Sequence, residues 1–208
     1  MRMSHHEEEN FEFIPVVTEG DEKLLDEALS QVFSYISTDG PVWRTVAQRQ
    51  RMVRDERKSH VVVRRSGRTV GAVGWQQGQT PGYFVLSISS SHDEAWTARL
   101  VEAAVGEAVS LLTRSSEAKR VELLVPAYSE ALLEYLTQGA HFEIEGILRN
   151  RFFIDGEYWP AVICCANLAE FRTGKRREPS DRRELLAALR KKTLEDLTAA
   201  HDGSSWLV

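Results

Sequence analysis

The sequence predicts a mixed α/β fold: a mostly antiparallel sheet flanked by helices, with a helical extension at the C-terminus. Three observations carry this reading. Short runs of alternating apolar residues, bounded by turn residues, read as strands. Stretches with helical apolar spacing are interleaved with those runs instead of being segregated from them. One long helical stretch joins two strand-like runs, as a right-handed crossover between parallel strands would.

Taken in order, Phe11 to Val17 reads as a strand, and Pro15 marks it as an edge or an early break. Thr18 or Gly20 then caps a helix whose first turn holds Asp21 and Glu22, where the dipole favours acids. Thr38 to Pro41 (TDGP) ends that unit, and a polar, Arg-rich helix is expected over Val42 to Lys58. His60 to Arg65 and Thr69 to Gln76 flank Ser66-Gly67-Arg68, a hairpin signal, and Tyr83 to Ile88 follows as a third strand of a meander. Ser89 to Asp93 is a polar break. Asp93 or Ser91 is the expected cap of a long helix, about Glu94 to Arg114, with Trp96, Leu100, Ala104, Ala108 and Leu111 on its buried stripe.

Arg120 to Val125 reads as a buried strand parallel to the last strand of the meander. Ser129 to Gln138 is a short helix closed by Gly139. His141 to Phe153 and Glu157 to Ala166 form a hairpin around Asp155-Gly156. The expected organisation is an acidic leader over residues 1–10, one domain over 11–170, and a basic linker with a leucine-faced helix over 171–208. That last helix is expected to pack on the domain, on a second copy in a homodimer, or on another protein partner.

Composition narrows the function classes. The chain of 208 residues is 42% hydrophobic and 27% charged, as ordinary soluble globular proteins are. Neither an apolar stretch of membrane length nor a signal-peptide core is evident, so a cytoplasmic protein without membrane contact is expected. Adjacent Cys164 and Cys165 point to opposite faces of a strand and are poorly placed to bridge each other. A net charge of −5 argues against nucleic-acid binding, yet it conceals blocks. Residues 1–26 carry eight acids and two bases, 44–68 nine bases and two acids, and 175–192 eight bases and three acids. The six histidines have no spacing that suggests a metal, and neither Gly-x-Ser-x-Gly nor a Walker-type loop occurs.

The element order, with Phe142-Glu143-Ile144-Glu145-Gly146-Ile147-Leu148-Arg149 followed by FFIDGEYWPAVI, resembles the GNAT superfamily of N-acetyltransferases, most of all the branch that acetylates ribosomal-protein N-termini. The resemblance spans about Phe11 to Leu168. It implies acetyl-CoA as co-substrate, no metal, and a small-molecule or protein amine as acceptor. In such a fold two parallel strands splay, the pantetheine arm pairs with the exposed strand edge, and the next helix turns its N-terminus to the pyrophosphate. The resemblance therefore assigns Leu86, Ser87, Ile88, Ser89, His92, Ala95, Trp96 and Thr97 to cofactor binding.

The pyrophosphate loop departs from the family pattern. Where the family has Arg or Gln, two residues, Gly, one residue, then Gly or Ala, this chain has Ser91 to Trp96 (SHDEAW). Glu94 and Trp96 put side chains where a backbone must approach closely, and Asp93 and Glu94 set carboxylates beside a diphosphate. For catalysis the resemblance points to Tyr135, four residues before Gly139, as the acid for the departing thiolate, against a reading as a packing aromatic. Glu122 is a base through water, or an exposed ion pair, and His92 is a weaker base candidate. Tyr128 stands roughly where the family often has an asparagine. Two functions follow: an acyl-CoA-dependent N-acyltransferase, or a GNAT-fold pseudoenzyme that no longer binds coenzyme A and acts as a binding or accessory protein.

Overall fold

The computed structural model describes residues 10–40, 44–138 and 141–173. The expected leader, Gly139 and the C-terminal helix with its docking role lie outside the described residues. Seven strands form one sheet in the order β1-β2-β3-β4-β5-β7-β6, and β4 with β5 is the one parallel pair in it. The strands are β1 (Phe11–Pro15), β2 (Lys58–Arg65), β3 (Arg68–Gln77), β4 (Tyr83–Ser90), β5 (Arg120–Pro126), β6 (Glu143–Ile154) and β7 (Glu157–Asn167). The mixed, mostly antiparallel sheet that the sequence predicts is thus present. So are the meander, the parallel crossover, and Pro15 at the end of an edge strand.

Both predicted tight hairpins form through left-handed residue pairs. Ser66 and Gly67 have φ of 50° and 76°, and Asp155 and Gly156 have 51° and 86°, the positive dihedrals a twisted two-residue turn demands.

Helices cover the sheet unequally. On one face lie α3 (Ala98–Ser115) and α4 (Glu130–Thr137), and the core there runs from Val61, Val63 and Val73 through Leu86, Ile88, Val121 and Leu123 to Val162. Ala104 and Ala108, fully buried, bring α3 close to the strands. On the other face α1 (Glu19–Ala28) and α2 (Val46–Val53) bury Leu25, Ala28 and Leu29 against Val62 and Ala72. The described chain ends in a short helix, α5 (Leu168–Thr173), beside β7. No helix among the described residues is long and apolar enough to cross a membrane.

Three expectations need correction. The Arg-rich helix is shorter than Val42 to Lys58, because Thr45 and Gln48 form a capping box that starts α2 and Asp55 accepts from the Arg57 amide and guanidinium in a turn that ends it. Lys58 already belongs to β2. The long helix begins at Ala98, not Glu94, and its cap is Thr97, whose hydroxyl accepts from the Leu100 amide. Asp93 to Ala95 make only a single 3₁₀ turn, and the Asp93 carboxylate is committed elsewhere. Trp96 is buried as its place in the stripe requires, but it sits before the helix and its indole nitrogen donates to the Val70 carbonyl at 3.1 Å.

Candidate active site

Strands β4 and β5 run side by side only from Tyr83 and Arg120 to Leu86 and Leu123. Beyond that point β4 continues to Ser90 with its other edge on β3, and β5 continues to Pro126 paired with β7. The two strands part, and β4 turns one row of backbone groups into the opening. Alternation places Ser87 and Ser89 against β3 and aims the amide and carbonyl of Ile88 into the gap.

The gap is filled by the segment after α1. Thr38 takes both groups of Ile88: its amide donates to the Ile88 carbonyl at 3.0 Å, and its hydroxyl accepts from the Ile88 amide at 3.0 Å. Ile36 reaches the buried cluster formed by α3 and α4. The Asp93 carboxylate accepts from the Ser34 hydroxyl and from the Tyr35 amide, both at 2.7 Å. The Tyr35 hydroxyl donates to Asp155 of the β6–β7 turn at 3.3 Å. Gly40, at φ 95°, closes the segment, and a methyl group there would lie 2.7 Å from the Phe152 ring.

The elements around this opening carry several buried hydroxyls. Ser34, Ser37, Thr38, Ser87, Ser89, Ser90 and Ser129 are all buried. Among the described residues the buried Ser37, Ser129 and Tyr128 hydroxyls and one Arg44 nitrogen have no hydrogen-bond partner. Arg44 reaches over Ser89, to which its other terminal nitrogen donates at 3.4 Å, and burial lowers its pKa. Buried polar groups are normally paired, so four orphans from elements around one opening mark a place fitted for polar company.

Tyr128, just beyond β5, is the centre of this cluster. Its ring meets Tyr35, Phe152 and Trp159 edge-on at centroid distances of 6.0, 5.7 and 6.0 Å. Burial first, then the negative charge of Asp93, raises its pKa, so the hydroxyl keeps its proton throughout the physiological range. The sequence signal for Tyr128 was only positional, in the place of the family asparagine.

The residues expected from sequence are only partly brought together. Ile88 stands in the opening, and Leu86 is the last β4 residue paired with β5. Ser91 and Trp96 direct their amides to Val70 and Asp93 carbonyls, Ala95 to that of His92, and His92 to the Ser90 hydroxyl. The His92 ring contacts the Arg68 guanidinium. Tyr135 is 4% exposed on α4, packed edge-on to Phe142 at 6.2 Å. Glu122 alternates with the buried Val121 and Leu123 and so projects from the opposite face, where it accepts from the Tyr83 hydroxyl. Tyr135 and Glu122 therefore lie on opposite sides of the sheet. Beside Glu122, the Arg120–Glu145 pair adjoins Cys165, whose thiol burial pushes up to about 11. Cys164 points into the core, its thiol donating to the Leu123 carbonyl. Among the described residues no group of three or more His, Cys, Asp or Glu could hold a metal ion.

No family model matches the sequence, and no curated relative matches it. Solved structures do resemble the fold. The smu.2055 protein of Streptococcus mutans UA159 superposes with a TM-score of 0.58 at 20% identity, covering 76% of this chain and 99% of that one. The spermidine N-acetyltransferase of Vibrio cholerae, in complex with CoA and spermine, does so with a TM-score of 0.59 at 13% identity, covering 78% and 98%. At such identities the likeness is one of architecture: the chain has a GNAT-like fold, with one parallel strand pair parting inside an otherwise antiparallel sheet.

Proposed function

We propose that the protein is an acyl-CoA-dependent N-acyltransferase whose reaction takes place in the opening between β4 and β5. The observation that carries this reading is the parting itself: it leaves an interior strand edge at Ile88, and just beyond the end of β5 the buried Tyr128 hydroxyl, packed against Tyr35 of the segment in the gap, bonds to nothing among the described residues. An extended pantetheine arm pairs with such an edge. Acyl transfer to an amine releases a thiolate, and Tyr128, protonated and packed against Tyr35 of the segment that fills the opening, suits the role of acid better than Tyr135, which packs on Phe142. The amine enters from the face that carries Ser87, Ser89 and Arg44, and Glu122, one strand away on that face, is the carboxylate to which water passes the amine proton. A ribosomal-protein N-terminus and a polyamine are both acceptors this reading allows, the latter supported by the spermine bound to the Vibrio cholerae neighbour.

One observation favours the pseudoenzyme reading. The amides of Ser91, His92, Ala95 and Trp96, which a diphosphate would need, are spent inside the protein, and Thr38 holds the Ile88 edge. Calorimetric titration with acetyl-CoA separates the two. The acyltransferase reading expects heat, and a thermal shift by mass action, from the native chain or from a Thr38→Gly chain. Absence of heat from both at millimolar ligand overturns it. Where binding occurs, Tyr128→Phe should lower turnover at least tenfold with little change in affinity. Because it removes an unpaired buried hydroxyl and keeps the ring, it should leave stability equal or raise it by about 1 kcal/mol.

A further inference from the structure

Asp93 reads from sequence as a defect, a carboxylate planted where a diphosphate belongs. The structure gives it an occupation. It receives two 2.7 Å hydrogen bonds from the segment that fills the opening, one from the Ser34 hydroxyl and one from the Tyr35 amide. Ser34 in turn accepts from the Ile36 and Ser37 amides at 3.1 Å, so the carboxylate fixes the turn that delivers Thr38 to Ile88. Charge-assisted bonds of this length are the stronger kind.

The Thr38–Ile88 contact excludes a second partner. An amide has one proton, and that of Ile88 is given to the Thr38 hydroxyl while the Ile88 carbonyl accepts from the Thr38 amide. An incoming extended amide chain needs the same two groups. We propose that residues 34–38 are an internal occupant of the pantetheine edge, latched by Asp93, and that a thioester donor binds only as this segment withdraws. This rests on the acyltransferase reading for the identity of the displaced ligand, though not for the latch. Ligand affinity is then reduced by the fraction of chains that are open, and loosening the latch raises affinity in proportion. On opening, the carboxylate loses these two partners and faces an incoming diphosphate as an unpaired charge. Replacing it by alanine therefore favours both opening and binding.

The test uses the full chain with two variants, Asp93→Ala and Ser34→Ala, the second keeping the charge and removing one bond. Hydrogen exchange without ligand should be at least tenfold faster at the Ile88 amide and over residues 34–38 in Asp93→Ala, and intermediate in Ser34→Ala. Acetyl-CoA affinity by calorimetry should rise at least tenfold in Asp93→Ala, and its binding to the native chain should deprotect residues 34–38. Unchanged exchange in both variants overturns the latch. Acetyl-CoA binding that leaves residues 34–38 protected overturns the displacement. Faster exchange with no acetyl-CoA binding by any of the chains overturns the acyltransferase reading, and with it the coupling to a donor.

Discussion

His60 shows how far burial alone can move a side chain. It is 7% exposed, and desolvation, helped by nearby Lys58, lowers its pKa from 6.5 to about 4. Room for the ring exists because Gly74 lies opposite it, where a methyl group would come within 2.8 Å of the imidazole. Between pH 6.5 and 4 the unfolded chain binds a proton that the folded chain refuses, so stability falls as pH drops through that window. About 3 kcal/mol is at stake once the pH is below the folded value. Denaturant titrations from pH 7 to 4 should show this slope in the native chain and a flatter one in His60→Gln, and equal slopes would remove His60 as the cause. The sequence placed His60 at the start of a strand that in fact begins two residues earlier, at Lys58, and gave no sign of what lies opposite it. The same holds at Asp93: its type and neighbours in sequence suggested repulsion, while its partners, Ser34 and Tyr35, lie 59 and 58 residues away. A side chain's role is settled by contacts of that range, which local patterns do not encode.

At the level of elements the sequence was far more informative, because periodicity, caps and turn residues are local. The meander, the crossover helix and the Asp155-Gly156 hairpin stand where the pattern put them, and the helix starts were displaced only where a better cap, Thr45 or Thr97, lay further on. The parting of β4 and β5 was legible only through resemblance, since nothing within either strand sets where pairing stops. Gly71 helps hold the neighbouring β3–β4 pair together at that end of the sheet. A methyl group there would overlap the Ser89 carbonyl oxygen and lie 2.8 Å from the Trp96 ring, backbone on one side and a buried indole on the other. Gly71→Ala should therefore cost about 3 kcal/mol, read as a lower denaturation midpoint, because neither neighbour can yield. An unchanged midpoint would mean that β3 shifts freely against β4 and Trp96.

For the whole molecule, the opposed charge blocks of the sequence turn out to answer one another. Arg49 of the basic block meets Asp26 at 2.6 Å and Arg64 meets Glu12 at 2.8 Å, while Lys58 faces Asp39, outside the acidic block, at 3.9 Å. Such partly exposed pairs contribute little energy each, roughly 0 to 1 kcal/mol, but they neutralise part of the basic block. The filled opening has a further bearing, on the order in which the chain assembles. Residues 34–38 make their contacts with Ile88, Asp93 and Asp155, at separations of 50 to 120 residues. Closing such long loops is the slow part of reaching a native topology. Thr38→Ala should accordingly speed unfolding and leave the folding rate nearly unchanged, a φ-value near zero, and a value near one would place this segment in the nucleus. A value near zero would mean that the sheet forms with its inner edge still bare and that the segment sealing it is the last piece set.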